Sequence, residues 1–151
     1  GTSTVIIVDN STTGMTGHQN NPANGLDIHG APAPAVSLEE LCRAVGVRRV
    51  RVVDPGDLKA TEAAVREELD APETSVIIAR RPCALLKSVK AKPALAIDPQ
   101  KCIGCKSCLR IGCPAISMKD SKAVIDDTLC VGCGLCESLC PKGAIGSKEV
   151  Q

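Results

Sequence analysis

Eight of the ten cysteines lie near the C-terminus in two runs, and each run ends in a Cys-Pro pair. In each run three cysteines are separated by two residues, and a fourth follows directly before the proline. The runs are Cys102, Cys105, Cys108 and Cys113, and Cys130, Cys133, Cys136 and Cys140. This spacing is typical of two 4Fe–4S clusters, because three thiolates wrap one cubane and the fourth binds its neighbour. The segment is therefore predicted to carry single electrons.

The crossing of the fourth cysteine assigns the ligands of each cluster. One cluster is predicted to take Cys102, Cys105, Cys108 and Cys140, and the other to take Cys130, Cys133, Cys136 and Cys113. Glycines interrupt the runs at positions 104, 112, 132 and 134. We expect them to let backbone N–H groups approach the inorganic sulfurs, which raises the reduction potential.

Two alternatives to this assignment remain open. A pair of zinc sites would also use eight cysteines, although zinc prefers two Cys-x-x-Cys pairs separated by a loop. In the first run, four residues separate Cys108 from Cys113, where the common cluster pattern has three. A local bulge at Gly112 would absorb the extra residue, whereas loss of Cys113 as a ligand would leave a three-iron second cluster.

The other two cysteines lie outside the runs. Cys42 falls on the apolar face of a predicted helix, so we expect a buried structural thiol. Cys83 follows Arg80-Arg81-Pro82, a basic neighbourhood that could lower the pKa of its thiol. A structural role remains the favoured interpretation for Cys83 as well.

Charge and hydropathy narrow the class of protein. The net charge of +1, from 18 basic and 17 acidic residues, gives no reason to expect a nucleic acid or an anionic membrane surface. No apolar run approaches the roughly 18 residues that a membrane span needs. No signal-peptide pattern precedes the cysteines, and cysteines at metal-ligand spacing indicate a reducing, cytoplasmic location.

The chain has no Phe, Tyr or Trp. A core built only from Val, Ile, Leu and Ala is thin for a free-standing protein of 151 residues. The sequence also opens without Met and runs directly into an apolar strand. We therefore expect a fragment of something larger.

Residues 1–80 alternate between predicted strands and helices. The β-branched apolar runs are residues 4–9, 50–53 and 74–79. A long loop rich in Gly, Asn, Thr and Pro spans residues 10–36, which is usually a sign of function or disorder. Ser37, with Glu40 three residues later, and Asp57 are the predicted N-caps of two helices. The order β-loop-α-β-α-β predicts an α/β domain with a parallel sheet and crossover helices.

A linker is predicted at residues 81–93, and a small α+β domain that holds both clusters at 94–151. The cysteine runs form an internal repeat in this domain. Its strands are predicted at 94–98 with 144–145, and at 115–118 with 123–126. Because so small a domain has little apolar surface, the clusters are expected to supply much of its stability.

Residues 9–19, Asp-Asn-Ser-Thr-Thr-Gly-Met-Thr-Gly-His-Gln, resemble the thiamine-diphosphate loop of the 2-oxoacid:ferredoxin oxidoreductases, in particular the large subunit of the indolepyruvate group. Further landmarks of that group are Val-Val-Asp-Pro at 52–55, Arg-Arg-Pro-Cys at 80–83 and the C-terminal two-cluster, bacterial-ferredoxin-type domain. The four-residue spacing before Cys113 resembles the family too. The resemblance covers essentially the whole chain, as the last quarter of that subunit.

The resemblance implies cofactor ligands within the loop. Mg²⁺ holds the diphosphate of thiamine diphosphate and prefers hard oxygen ligands; the family places two of them at Asn10 and Thr12. The third ligand comes from a Gly-Asp-Gly/Ser motif that this sequence lacks. Residues implied near the cofactor and substrate are Thr16, Gly17, His18 and Gln19. His18 is the candidate for proton transfer, although a plain loop histidine would look the same.

The implied reaction is the oxidative decarboxylation of an aryl pyruvate such as indolepyruvate. Coenzyme A takes the acyl group, and the clusters pass the two electrons singly to a soluble ferredoxin. The implied partners are therefore a small (beta) subunit, ferredoxin, the 2-oxoacid and coenzyme A. The fragment by itself is expected to be inactive, because part of the thiamine site is absent.

Two other functions remain as alternatives. The chain could be a ferredoxin-like electron carrier with an α/β appendage, or the iron–sulfur subunit of a pyruvate or 2-oxoglutarate oxidoreductase. Residues 1–19 weigh against the carrier, which needs no cofactor loop. The Ser-Thr-Thr loop and the Arg-Arg-Pro-Cys segment weigh against the other oxidoreductases.

Overall fold

The computed structural model of the protein describes residues 1–15, 17–90 and 92–147. Its internal contacts divide the chain into two compact units, Gly1–Val89 and Lys90–Gln151. Each unit is described below by itself. The candidate cofactor residue Thr16 lies outside the described residues.

The first unit is a three-stranded parallel sheet with two crossover helices. Its elements are β1 (Thr4–Asp9), α1 (Leu38–Ala44), β2 (Arg49–Val53), α2 (Leu58–Leu69) and β3 (Ser75–Arg80). The strand order is β1-β3-β2, and both pairings are parallel. The parallel sheet predicted from the sequence is confirmed. The central strand is β3, which is therefore paired along both of its edges.

Alternate residues of β3 point to opposite faces, and a helix packs on each face. On one face Val76 and Ile78 join Cys42 of α1 in a buried cluster, so the predicted burial of Cys42 is confirmed. On the other face, Ser75 donates a hydrogen bond from its hydroxyl to the carbonyl of Glu68 in α2. This two-sided burial explains why β3 is an almost continuous apolar run.

The predicted N-caps begin both helices. The Ser37 side chain accepts a hydrogen bond from the N–H of Glu40 at 3.2 Å. The Asp57 side chain does the same for Ala60 at 3.0 Å. Each cap satisfies one of the N–H groups that a helix leaves without a partner in its first turn.

Glu68 is an acidic residue buried between α2 and the sheet. Its side chain is 1% exposed, and both carboxylate oxygens accept hydrogen bonds from Arg49 of β2, at 2.7 and 3.0 Å. These bonds lower the pKa of Glu68, against the opposing effect of burial. A buried carboxylate is stable only when it is paired in this way, so the pair fixes the position of α2 over β2.

Breaking this pair should destabilise the first unit. We expect Glu68→Gln to lower the free energy of unfolding by about 2 kcal/mol, because the buried carboxylate that accepts two hydrogen bonds from Arg49 is lost and Arg49 keeps only the half-exposed Glu67 as a partner. Glu67→Gln is the matched control, since Glu67 is half exposed and contacts the same arginine; its cost should stay below about 0.5 kcal/mol. Urea unfolding followed by helical circular dichroism measures both, and equal effects would contradict the role of burial.

The long loop between β1 and α1 is ordered by its own polar side chains. Each of four Asn and Asp residues accepts a hydrogen bond from a backbone N–H two to four residues later: Asn10, Asn21, Asn24 and Asp27. Such turns let a segment without helix or strand satisfy its backbone. The described residues of this loop, which was predicted to be functional or disordered, are thus held by hydrogen bonds of their own side chains.

The second unit is built from short elements. They are β4 (Leu95–Ile97), a 3₁₀ helix (Ser107–Ile111), β5 (Ile116–Lys119), β6 (Lys122–Ile125), α3 (Leu135–Ser138) and β7 (Ile145–Ser147). β4 pairs with β7 and β5 with β6, both antiparallel, so the two predicted strand pairs are confirmed. The buried cluster is Leu95, Cys108, Ala123, Cys136 and Ile145. Two of its five members are cysteines, so sulfur replaces the aromatic side chains that the chain lacks.

The segment predicted as a linker is partly fixed. The N–H of Arg81 donates to the carbonyl of Asp9, and the N–H of Cys83 to that of Asn10, both at 2.9 Å. These bonds continue the pairing of β1 with β3 beyond the end of the sheet. Among the helices in the described ranges, none is long and apolar enough to cross a membrane.

Candidate functional site

The structure brings cysteines of both runs to one cavity in the second unit. Cys102, Cys105, Cys108 and Cys140 all line it, and its empty space is about 350 Å³. Three of them come from the loop before and within the 3₁₀ helix, and Cys140 follows α3. This is the grouping predicted for the first cluster, and its role as a ligand set remains a prediction.

The environment of these sulfurs favours a cationic centre. Burial raises the pKa of the Cys108 thiol, and the nearby Cys102, Cys105 and Cys140 raise it further, because ionised thiols repel each other. Four thiolates can therefore coexist here only with a positive centre between them. Two polar contacts already assist the sulfurs: the N–H of Ala144 donates to Sγ of Cys140 at 3.3 Å, and hydrogen bonding with Ser107 lowers the pKa of Cys105.

The donor set fits an iron–sulfur cluster. It supplies four sulfurs, the ligands of a 4Fe–4S centre, and the cavity walls include apolar Ile97, Ala123 and Ile145. Within residues 1–15, 17–90 and 92–147, no three His, Cys, Asp or Glu side chains are grouped so that they could hold a single metal ion.

For the second predicted set, the structure shows three of the four cysteines near one another. Burial raises the pKa of Cys136, and the neighbouring Cys133 and Cys130 add to the effect, so these three thiols lie close together. Cys113 is half-buried, and its carbonyl accepts a hydrogen bond from the N–H of Ile116. The place of the Cys113 thiol in the second set stays a prediction from spacing.

Gly112 accommodates the extra residue of the first run. It ends the 3₁₀ helix in the left-handed conformation, with φ +66°, and its N–H donates to the carbonyl of Leu109. A glycine adopts this conformation at little cost. This left-handed turn is suited to the detour at Gly112 that the spacing predicts.

Gly104 and Gly132 are also required for a steric reason that the sequence analysis missed. A Cβ at Gly104 would lie 2.3 Å from the carbonyl oxygen of Ser121, in the turn between β5 and β6. A Cβ at Gly132 would lie 2.4 Å from the carbonyl oxygen of Pro93, just before β4. At equivalent points of the repeat, each cysteine loop thus packs directly on backbone.

This close approach can be tested against a matched glycine. Gly104→Ala should lower stability by at least about 3 kcal/mol or prevent iron incorporation, because the new methyl group overlaps a backbone oxygen. Gly112 has nearly the same φ, but a Cβ there would meet no atom within 4 Å, so Gly112→Ala should cost only about 1 kcal/mol of backbone strain. Thermal unfolding and iron content per chain measure both. Equal losses would contradict the packing role of Gly104.

The candidate thiamine residues lie at the carboxyl end of β1. Oδ1 of Asn10 accepts a hydrogen bond from the N–H of Thr12 at 3.2 Å. Thr12 is buried, and its hydroxyl donates to the carbonyl of Gln19. Thr13 and Gln19 exchange both backbone hydrogen bonds, which closes the loop into a small hairpin. The structure thus places Asn10, Thr12 and Gln19 together.

Gly17 and His18 occupy the tip of this hairpin in left-handed conformations, with φ +101° and +59°. Sγ of Cys83 lies 3.9 Å from Nε2 of His18, in an exposed position. Cys83 is also bonded through its N–H to the carbonyl of Asn10. Cys83 therefore contacts the candidate cofactor loop at Asn10 and at His18, a contact that the sequence analysis missed.

A three-member ion cluster also escaped the sequence analysis. Arg80 donates from Nε to Asp9 at 2.7 Å, and its two terminal nitrogens donate to both oxygens of Glu39 in α1. These bonds lower the pKa of Glu39 to about 2. Asp9 and Arg80 face each other in the parallel register, so the positions of the two strand ends would have indicated that these residues pair. The cluster fixes the strand end that carries Asn10.

Asn10 and Thr12 fit part of a magnesium site. An amide oxygen has two lone pairs, so Oδ1 of Asn10 can bind a cation besides accepting from Thr12. A cavity of about 830 Å³ adjoins both residues and extends to Asn21 and Val36. The donors present are thus hard oxygens at the end of a parallel strand, where open α/β sheets bind ligands.

Comparisons with known proteins agree with both halves of the site. Residues 2–79 match the family described as thiamine pyrophosphate enzyme, C-terminal TPP binding domain, and residues 123–146 match the 4Fe-4S binding domain. The second match includes all four cysteines of the second run.

Curated relatives match nearly the whole chain. It is 40% identical over 93% of its length to indolepyruvate oxidoreductase subunit IorA of Pyrococcus horikoshii. The same subunit of Methanothermobacter thermautotrophicus is 38% identical, and that of Archaeoglobus fulgidus 39%, each over 93% of the chain. The chain spans 23% of the length of each of these relatives.

Proposed function

The chain belongs to the family of thiamine pyrophosphate enzymes, and we propose that it supplies the electron outlet of a 2-oxoacid:ferredoxin oxidoreductase. One observation carries the proposal. Four cysteines drawn from two runs surround a single cavity, on the same chain as a thiamine-domain strand end with Asn10 and Thr12. A chain that joins these two sites is suited to pass electrons from a thiamine-dependent oxidation to a one-electron carrier.

The substrate of the complete enzyme is proposed to be an aryl pyruvate, with indolepyruvate named by the relatives. Its product is the aryl-acetyl thioester of coenzyme A. The proposed partners are a small subunit and a soluble ferredoxin, in the cytoplasm. Support for the partner subunit comes from the relatives, which are themselves named as subunits.

The residues of this chain have distinct proposed roles in the thiamine half. The side-chain oxygen of Asn10 and the backbone of Thr12 would hold Mg²⁺, which binds the diphosphate. Thr16, Gly17 and Gln19 would line the cofactor. His18 would move a proton at the substrate. When bound, thiamine diphosphate supplies the electron sink for decarboxylation.

In the cluster half, each set of four cysteines would hold one 4Fe–4S centre. The apolar walls of the first cavity would exclude water, and the Ala144 N–H would stabilise the charge on Cys140. Two centres would let a two-electron oxidation leave as single electrons.

Metal content tests the cluster assignment. We expect the chain purified without oxygen to contain about eight iron and eight sulfide per molecule and no stoichiometric zinc. Cys113→Ser should lower the iron content by about one atom and produce a three-iron signal in electron paramagnetic resonance. Cys83→Ser is the control and should leave the iron content unchanged. Zinc in place of iron would refute the proposal, and an unchanged Cys113→Ser variant would remove Cys113 from the second set.

Turnover tests the division of the thiamine site. The chain alone, given thiamine diphosphate, Mg²⁺, coenzyme A and indolepyruvate, should reduce a viologen dye no faster than a mixture without the 2-oxoacid, because the third magnesium ligand motif is absent from its sequence. As a control, the chain reduced by dithionite and then freed of the excess reductant should reduce the dye readily. Substrate-dependent dye reduction by the chain alone would contradict this account of the site.

The second candidate function is that of an electron carrier with an α/β appendage. It would need the second unit only. The ordered hairpin that joins Thr12, Thr13 and Gln19 favours the oxidoreductase, since a carrier has no use for it.

A further inference from the structure

The two cysteine runs form an internal repeat, so the residues at equivalent positions of the two runs can be compared. Basic residues stand around the first set where the second set has small or apolar ones. The equivalent pairs are Lys101 with Leu129, Lys106 with Gly134, and Lys142 with Ala115. The exposed Glu137 of the second set stands where the first has Leu109, whereas Asp126 has an acidic equivalent in Asp98. The two cluster sites thus have equivalent sulfur donors, but the lysines at these three positions belong to the first set alone.

Lys106 has a left-handed backbone conformation, which is unfavourable for a residue with a Cβ. Its φ is +63°, and at the equivalent position Gly134 has φ +84°. Glycine adopts this left-handed conformation freely, whereas a residue with a Cβ does so rarely. A backbone outlier kept by a lysine, where its repeat has the residue best suited to it, points to a function of the side chain.

Lys106 and Lys142 both line the cavity with Cys105, and all three are exposed. Neither lysine has an ion-pair partner among the described residues, so their charge is available to a ligand. We call Lys106 and Lys142 the basic rim. Ile103, which also lines the cavity, is 59% exposed beside it. A small apolar spot with a charged border is the usual anatomy of a protein–protein contact.

We infer that electrons leave through the first cysteine set, to a one-electron carrier protein whose acidic surface docks on the basic rim. The inference rests on the proposed function and adds the exit site and the charge of the partner. One electron passes from the reduced first centre to the oxidised carrier, and no atom or proton is exchanged. The carrier is reduced as the centre is oxidised.

The apolar surface alone does not distinguish the two sets, since Val131, the equivalent of Ile103, is also exposed. Charge does. Electron-transfer encounters are small and short-lived, so electrostatic steering contributes much of their rate. A carrier with an acidic surface would be attracted to the lysines of the first set and repelled by Glu137 beside the second.

Charge reversal on the whole chain tests the inference. The chain, loaded with clusters, reduced by dithionite and freed of the excess reductant, is mixed with an oxidised acidic 2Fe–2S ferredoxin in a stopped-flow experiment at several salt concentrations. At low salt, K106E and K142E should each lower the second-order rate constant at least about threefold, and together about tenfold. The affinity for the oxidised ferredoxin, measured by titration calorimetry, should fall in parallel. High salt should remove the difference.

Lys59→Glu is the matched control, because Lys59 is exposed on α2 in the first unit and its reversal changes the net charge equally. It should change the rate less than twofold. K106G separates docking from structure. Because glycine suits the left-handed backbone, K106G should keep the iron content and should not lower thermal stability, and yet it should slow ferredoxin reduction.

Several results would overturn the inference. Rate constants of the rim variants equal to that of Lys59→Glu would do so. A salt-independent rate, or a loss of thermal stability in K106G, would also do so. A faster reaction in E137K that exceeds the effect of the rim would place the exit at the second set. If the iron is absent, the proposed function fails and the inference with it; if iron is bound and the rim has no effect, the inference alone fails.

Discussion

The second unit depends on the convergence of two cysteine runs, which meet at one cavity. Cys108 and Cys136 occupy core positions that an aromatic or branched side chain would fill elsewhere. Burial raises the pKa of both thiols, and the neighbouring cysteines of each run raise it further, so both favour the protonated form unless a cationic centre binds. On the proposed ligand assignment, the same sulfur atoms would supply both stability and redox function, and loss of the centre would weaken the core.

In the first unit, the constraint is the carboxyl end of a parallel sheet. The Asp9–Arg80–Glu39 cluster joins both strand ends to the start of α1. The loop that contains Asn10 and Thr12 rises from this fixed base, and its own Asn and Asp side chains satisfy its backbone. A cofactor loop without regular structure is thus positioned by its two ends and its internal turns.

The sequence predicted those features whose signals are local. The caps at Ser37 and Asp57, the three parallel strands and the hairpin strands of the second unit all follow from short patterns. The pairing of Glu68 with Arg49 could not be found in this way, because a glutamate on a helix is usually exposed and only the packing of α2 buries it. For the same reason, the neighbour of Gly104 was missed: the spacing indicated a glycine, but the backbone it meets is 17 residues away in the sequence.

The turn between β5 and β6 has a further consequence. Hairpin turns at the surface commonly tolerate inserted residues. Here Asp120 and Ser121 both have positive φ, and the Ser121 carbonyl occupies the space that a side chain at Gly104 would need. Lys122, directly after the turn, donates to the carbonyl of Cys102. The turn therefore acts as a lid of fixed length over the first cysteine loop, and an insertion there would be expected to open the cavity rather than to lengthen a harmless loop.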